Sequence, residues 1–161
     1  MEIVTYEPRF LDTLLSLCKA EGWTSFAADP ERAARAMTNP GVTALVAIEE
    51  DGDGEERALG FSQAVGDGCF GGYLCMLLVD PEARGRGIGK ALVERTLVES
   101  GVIRLDLLSS DRAMSLYERF PHSRIPGFRL YRDPSLRPAR SGGGAAVRGA
   151  SRASRGGPGR L

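Results

Sequence analysis

The segment Leu77-Leu78-Val79-Asp80-Pro81-Glu82-Ala83-Arg84-Gly85-Arg86-Gly87-Ile88-Gly89-Lys90-Ala91-Leu92 runs from an apolar strand, through a glycine-rich loop, into an amphipathic helix. Val79 closes the strand and Asp80-Pro81 makes a tight turn. Gly85, Gly87 and Gly89 then let the backbone approach a ligand closely and aim successive N–H groups at one point. The helix start adds unpaired donors and the positive end of its dipole. Arg84, Arg86 and Lys90 bring formal charge beside it. A phosphate or pyrophosphate is the ligand this suits. The loop lacks a glycine at Walker spacing before Gly89-Lys90, and Ala91 stands where Ser or Thr would hold magnesium. Lys90 occupies the third glycine place of the dinucleotide fingerprint, so that reading also fails. A sharp strand-to-helix turn alone would need one glycine, not three.

Working upstream, Cys69–Val79 is an apolar run without alternation, expected in mid-sheet with both faces covered. Val42–Ile48 and Ala58–Val65 flank a turn at Asp51-Gly52-Asp53-Gly54 and read as a hairpin. Asp29-Pro30 is an N-cap followed by proline at the first helical position, for a helix that ends near Thr38 before Asn39-Pro40-Gly41. Phe10 to Lys19 has helical spacing after Pro8, and Ile3–Tyr6 is a short strand. Downstream, a helix over 87–100 is expected to turn Ile88, Ala91, Leu92, Arg95 and Val98 inward, with Gly101 ending it. Val102–Leu108 reads as a buried strand, Asp111–Phe120 as a helix, and His122–Ile125 and Phe128–Arg132 as short final strands.

A chain of 161 residues, 42% hydrophobic and 26% charged, fits one domain. Its zero formal charge hides an asymmetry. All six charged residues from Pro134 onward are arginines, so residues 1–133 carry 15 basic against 21 acidic groups, a net of −6. An acidic body argues against a nucleic-acid-binding core. Residues 134–161 hold seven glycines, three prolines and no aromatic residue. They cannot bury enough surface to offset ordering entropy and are expected to be a disordered basic tail. The tail reads as a solvated extension, with binding to an acidic partner as the alternative. No apolar run is long enough to span a bilayer, and Glu2 and Glu7 stand where a signal peptide would be basic. Cys18, Cys69 and Cys75 lack metal-ligand spacing and the chain has one histidine. No metal site is expected, and the cysteines read as reduced thiols of a cytoplasmic protein.

Arg84-x-x-Gly87-x-Gly89 after Val79-Asp80-Pro81 resembles the acetyl-CoA-binding signature of the GNAT superfamily of N-acetyltransferases. Val102–Leu108 followed by Ala113-x-x-Leu116-Tyr117-Glu118 resembles that family's next strand and helix. The likeness covers the body, residues 1–133, and none of the tail. It implies an α/β fold with a mixed, mostly antiparallel seven-stranded sheet flanked by four helices. Strands four and five would splay apart, with the pantetheine arm of acetyl-CoA in the gap. The backbone of Leu77, Leu78 and Val79 would meet that arm, one amide polarising the thioester carbonyl. The amides of Arg84, Gly85, Arg86, Gly87, Ile88, Gly89 and Lys90 would hold the pyrophosphate. Tyr117 matches the tyrosine that protonates the departing thiolate. The implied activity is acetyl transfer to a primary amine of a small molecule or peptide in a ternary complex. The alternatives are a non-catalytic acyl-CoA-binding or regulatory module, and a protein N-terminal or lysine acetyltransferase recruited by its basic tail. Nucleic acid would be met only through that tail, and a homodimer is common among relatives.

The chain departs from the family pattern at several places. Ser110 stands where Asn is frequent and can donate one hydrogen bond. Pro121-His122 replaces a usual Gly-Phe; His122 reads as a hydrogen-bonded packing residue, with titration near the site as the alternative. Cys69–Val79 holds no carboxylate to act as general base, which leaves Glu21 or Asp67 through a water, or no dedicated base. Cys75 reads as a small buried hydrophobe in preference to a covalent acyl carrier. Asp106 points into the gap or to a helix cap. The resemblance makes Glu21-Gly22-Trp23-Thr24-Ser25-Phe26 the cover of the acceptor site.

Overall fold

The computed structural model describes residues 1–50, 52, 54–133 and 135. Two units are distinguished, Met1–Ile125 and Pro126–Leu161. The first is built on a sheet of β1 (Glu2–Thr5), β2 (Val42–Glu50), β3 (Glu56–Gly66), β4 (Gly71–Val79) and β5 (Arg104–Asp106), neighbours in that order. Three pairings are antiparallel, and only β4 with β5 is parallel. The helices are α1 (Leu11–Ala20), α2 (Thr24–Ala27), α3 (Pro30–Thr38), α4 (Ile88–Glu99) and α5 (Met114–Tyr117). Among the described residues the sheet thus has five strands and not seven, with five helices and not four.

Local chemistry explains the elements that match their sequence signals. Asp29 caps α3, its Oδ1 accepting the Arg32 N–H at 2.9 Å, and Pro30 opens the helix. One face of the sheet buries Val46, Ile48, Phe61 and Leu78 under Phe10, Leu14 and Cys18 of the α1 region and Met37 of α3. The other buries Leu45, Ala47 and Leu59 under Ile88 and Leu92 of α4. Strand alternation sorts these side chains between two apolar layers, and their removal from water drives the assembly.

The inward stripe of α4 differs from the expected one. Ile88, Leu92, Val93 and Thr96 are buried, whereas Val98 is 72% exposed and Arg95 faces solvent. The phase turns on Thr96, a polar residue whose burial is compensated. Its hydroxyl donates to Leu92 O at 2.7 Å and accepts from Ser62 Oγ of β3, also at 2.7 Å. Thr96→Val should therefore destabilise by about 1–3 kcal/mol, because it strands the buried Ser62 hydroxyl. The double variant Ser62→Ala/Thr96→Val should recover most of that loss. Urea unfolding midpoints of the two variants check it.

β4 carries the feature that shapes the site. It pairs with β3 as Gln63↔Met76 and then Ala64↔Leu74, so Cys75 is an extra residue, a β-bulge. Its parallel partner β5 reaches only Tyr73↔Asp106. From Leu74 to Val79 the edge of β4 away from β3 has no strand beside it among the described residues. The expected strand over 102–108 shrinks to three residues, with Ile103 75% and Leu108 41% exposed. β4 is accordingly not covered on both faces throughout, since Tyr73 and Cys75 are exposed.

The expected helix over 111–120 is a 3-10 turn, Asp111–Ala113, leading into the single turn of α5. The two final strands do not form: residues 121–131 have no regular structure. Pro121 and Pro126 remove two ladder donors from that stretch, and Gly127 follows directly. In the second unit Phe128 and Leu130 are exposed and Ser135 N–H bonds to Asp133 Oδ1. The tail from residue 134 lies outside the described residues, Ser135 excepted.

Candidate functional site

The loop after β4 is built by a capped turn. Asp80, nearly buried, accepts the Glu82 N–H on Oδ1 at 3.0 Å and Arg57 Nη2 on Oδ2 at 2.7 Å. Those bonds, the backbone bond first and the arginine next, hold its carboxyl below the usual aspartate range. After the 3-10 turn Pro81–Ala83, Gly85 and Gly87 take φ of 79° and 82°, left-handed values that glycine alone adopts freely. Gly87 is the N-cap of α4, and Ala91 N–H returns to its carbonyl at 3.0 Å. Among the described residues, the amides of 85–90 donate to no protein acceptor. Six consecutive N–H groups are thus available at a helix mouth, an anion cradle by geometry alone. A Cβ added at Gly87 or Gly85 would meet nothing within 4 Å, so the protein leaves that side of the loop open.

The open edge of β4 continues from this cradle. Asp80 N–H bonds to Leu59 O at 2.8 Å, and antiparallel alternation from that bond turns the amides of Leu78 and Met76 toward β3. The main-chain groups of Leu77 and Val79 therefore point into the gap, while those of Leu78 are engaged in the sheet. Of Leu77, Leu78 and Val79, the first and last turn their main-chain groups to the open edge and Leu78 turns its own to β3. The Val79 carbonyl already accepts Arg84 Nε at 3.1 Å.

α5 closes one flank. Leu116 Cδ2 lies 3.4 Å from where a Gly89 Cβ would be, so Gly89 admits α5 against the start of α4. Tyr117, half-buried, packs against the Ala64, Leu74 and Val93 cluster with Leu105 and Leu107. Burial pushes its phenol above the ordinary tyrosine value, so it holds its proton throughout the neutral and mildly alkaline range.

The sequence of residues 40–120 matches the family model described as "Acetyltransferase (GNAT) domain". That span covers half the chain and includes the loop, the open strand edge and Tyr117. The chain belongs to the GNAT acetyltransferase family. Histone acetyltransferase TAP1 of Glycine max is 30% identical over 112 residues, covering 65% of this chain and 48% of that protein. A solved aminoglycoside 6'-N-acetyltransferase complexed with coenzyme A is 28% identical with a TM-score of 0.54, covering 66% of this chain and 61% of that one. An acetyltransferase of Trypanosoma brucei, at 23% identity and a TM-score of 0.62, covers 81% of this chain and 98% of its own and shows the shared fold. The chain spans between 28% and 48% of the length of the curated relatives it matches.

Other residues singled out from the GNAT sequence fall in varied places. Cys75 is exposed at the bulge, not buried, with its Sγ 3.4 Å from Tyr73 O and its thiol pushed up by partial desolvation. Asp67 accepts the N–H groups of Cys69, Phe70 and Gly71 in the β3–β4 turn, which lowers its pKa. That turn lies roughly 25 Å along β4 from Val79, at the opposite end of the strand from the loop. Glu21, after α1, pairs with Arg84 and so reaches the loop. Ser110 is exposed, makes no side-chain cap, and accepts Ala113 N–H on its carbonyl at 2.9 Å. His122 is exposed and outside any strand, and it is hydrogen-bonded, its Nδ1 2.9 Å from Phe120 O. Asp106 is exposed beside Arg104, at 3.8 Å. Sequence reasoning passed over Arg57, whose link to Asp80 and Glu82 joins positions more than twenty residues apart and leaves no local signal.

Proposed function

We propose that the chain transfers an acetyl group from acetyl-CoA to a primary amine. The observation that carries this reading is that, among the described residues, six amides without a protein acceptor at the mouth of α4 run on into an unpaired edge of β4. The first suits a diphosphate and the second an extended amide-bearing arm. Arg84 to Lys90 would hold the diphosphate through main-chain N–H groups, and Leu77 and Val79 would pair with the arm. Acetyl-CoA supplies an activated acetyl group as a thioester. In the transfer the amine nitrogen gains the acetyl carbon, the carbon–sulfur bond breaks, and one proton passes from the amine side to the thiolate. Tyr117 keeps a proton on its hydroxyl at neutral pH and is the residue assigned to deliver it. Of the two carboxylates considered as base, Glu21 is paired with Arg84 at the diphosphate end and Asp67 is held by three N–H groups in the β3–β4 turn, so the role is assigned to neither.

The acceptor is read as a small molecule or peptide with a primary amine. An aminoglycoside enzyme and a histone acetyltransferase among the similar proteins support both arms of that class. Calorimetry with acetyl-CoA, followed by a screen of amines for CoA release, tests the function. Micromolar binding with amine-dependent release is expected, whereas binding with no acceptor-dependent release favours a regulatory acyl-CoA module. Tyr117→Phe should lower kcat about a hundred-fold while acetyl-CoA affinity changes less than about two-fold. Steady-state kinetics beside calorimetry check this; an equal loss in both would assign Tyr117 to packing.

A further inference from the structure

The cationic side chains of the loop are already engaged by other elements. Arg84 pairs with Glu21 after α1, and Arg86 pairs with Glu49 of β2, its Nη1 3.2 Å from Oε2. On the other side of the turn, Arg57 of β3 binds Asp80 at 2.7 Å and Glu82 at 3.1 Å. Glu49 and Arg57 stand directly opposite each other in the β2–β3 register. One rung of that hairpin therefore grips the loop on both sides of Gly85, at Asp80–Glu82 before it and at Arg86 after it. On the upstream side Asp80 alone is nearly buried, and its second oxygen caps Glu82, while Arg57 and Glu82 are exposed.

We propose that Glu49 and Arg57 are positioning residues for the diphosphate, and that Arg86 works as a tether to Glu49, not as a phosphate ligand. The proposal rests on the acetyl-CoA reading above and assigns to the amides of 85–90 the recognition that the arginine charge suggested. A loop with two left-handed glycines has many alternative shapes, and aligned amides bind an anion only when those shapes are excluded. Two links from one rung of the hairpin remove that freedom without touching the ligand. Exposed ion pairs are individually weak, so the expected effects are modest and appear in affinity before they appear in folding.

Charge exchange separates tether from ligand. Glu49→Arg and Arg86→Glu, each alone, should weaken acetyl-CoA binding about five- to ten-fold by calorimetry. At saturating acetyl-CoA, kcat should remain within about two-fold of the parent. The double variant Glu49→Arg/Arg86→Glu re-forms the pair with its polarity reversed and should bind within about three-fold of the parent. Arg57→Met should raise the acetyl-CoA KM without lowering kcat, and Arg57→Lys should restore part of the loss. If the double variant binds no better than Arg86→Glu alone, Arg86 touches phosphate directly and the proposal is overturned. Single variants that lower Tm while leaving KM unchanged overturn it as well. A parent protein that fails to bind acetyl-CoA defeats the acetyltransferase reading itself, whereas a binding parent with an unrescued double variant defeats only the tether.

Discussion

Gly87→Val should fold as the parent does and lose acetyl-CoA affinity by about a hundred-fold or more. Gly87 has φ of 82°, and a Cβ there meets no protein atom within 4 Å. The substitution therefore meets no steric obstacle inside the protein. It meets a conformational one, because a β-branched residue at positive φ costs about 1–2 kcal/mol. The loop relieves that strain by rotating peptide planes, and rotated planes no longer aim their N–H groups at one point. Losing two charge-assisted bonds of about 1.5–3 kcal/mol each accounts for the fall in affinity. Calorimetry should show the loss, and a melting curve should show a Tm only a few degrees below the parent. A variant that binds normally would place the diphosphate elsewhere.

Gly60→Val inverts that pattern: the expected defect is in folding. A Cβ at Gly60 would lie 2.5 Å from Leu78 O and 3.0 Å from Val79 Cα, both backbone atoms of the neighbouring strand. Neither can yield as a flexible side chain would, so β3 and β4 must separate where β4 delivers the chain into the loop. A loss of about 3 kcal/mol or more is expected, at the upper end for an overpacked core. For a domain of this size that corresponds to a fall in Tm of roughly 10 °C. Differential scanning calorimetry checks it, and a normal midpoint would show that the strands have slack there.

What could be read from the sequence was what is encoded over a few residues. Asp29-Pro30 marks the start of α3 by itself, and Val79-Asp80-Pro81 with the three glycines marks the strand end, turn and cradle. Where distant partners decide, the local sequence pattern misleads. Thr96 faces inward because Ser62, 34 residues earlier, supplies a hydroxyl, and that partner rotates the whole inner stripe of α4. Cys75 reads as a buried strand residue because nothing near it in sequence announces a bulge. The stretch 102–108 is apolar enough for a long strand, yet its pairing stops at Asp106, where β4 parts from it. Phe128–Arg132 alternates like a strand and forms none, since alternation describes one face and says nothing of a neighbour to pair with. For the site, the donors were legible and their restraints were not. Glu21, Glu49 and Arg57 reach the loop only after the chain has folded back on itself.

Cys75 also gives the slot beside β4 a genetic address. Leu74, Leu77 and Val79 lie in one apolar layer and Met76 and Leu78 in the other, with Cys75 outside the alternation. Excising that single codon would leave every other side chain of the strand in its own layer. What would vanish is the local bend that the surplus residue imparts. The straightened strand could then zip further along its parallel neighbour. On the acetyl-CoA reading, deleting one codon would turn a strand edge open to a ligand arm into one closed by its own neighbour.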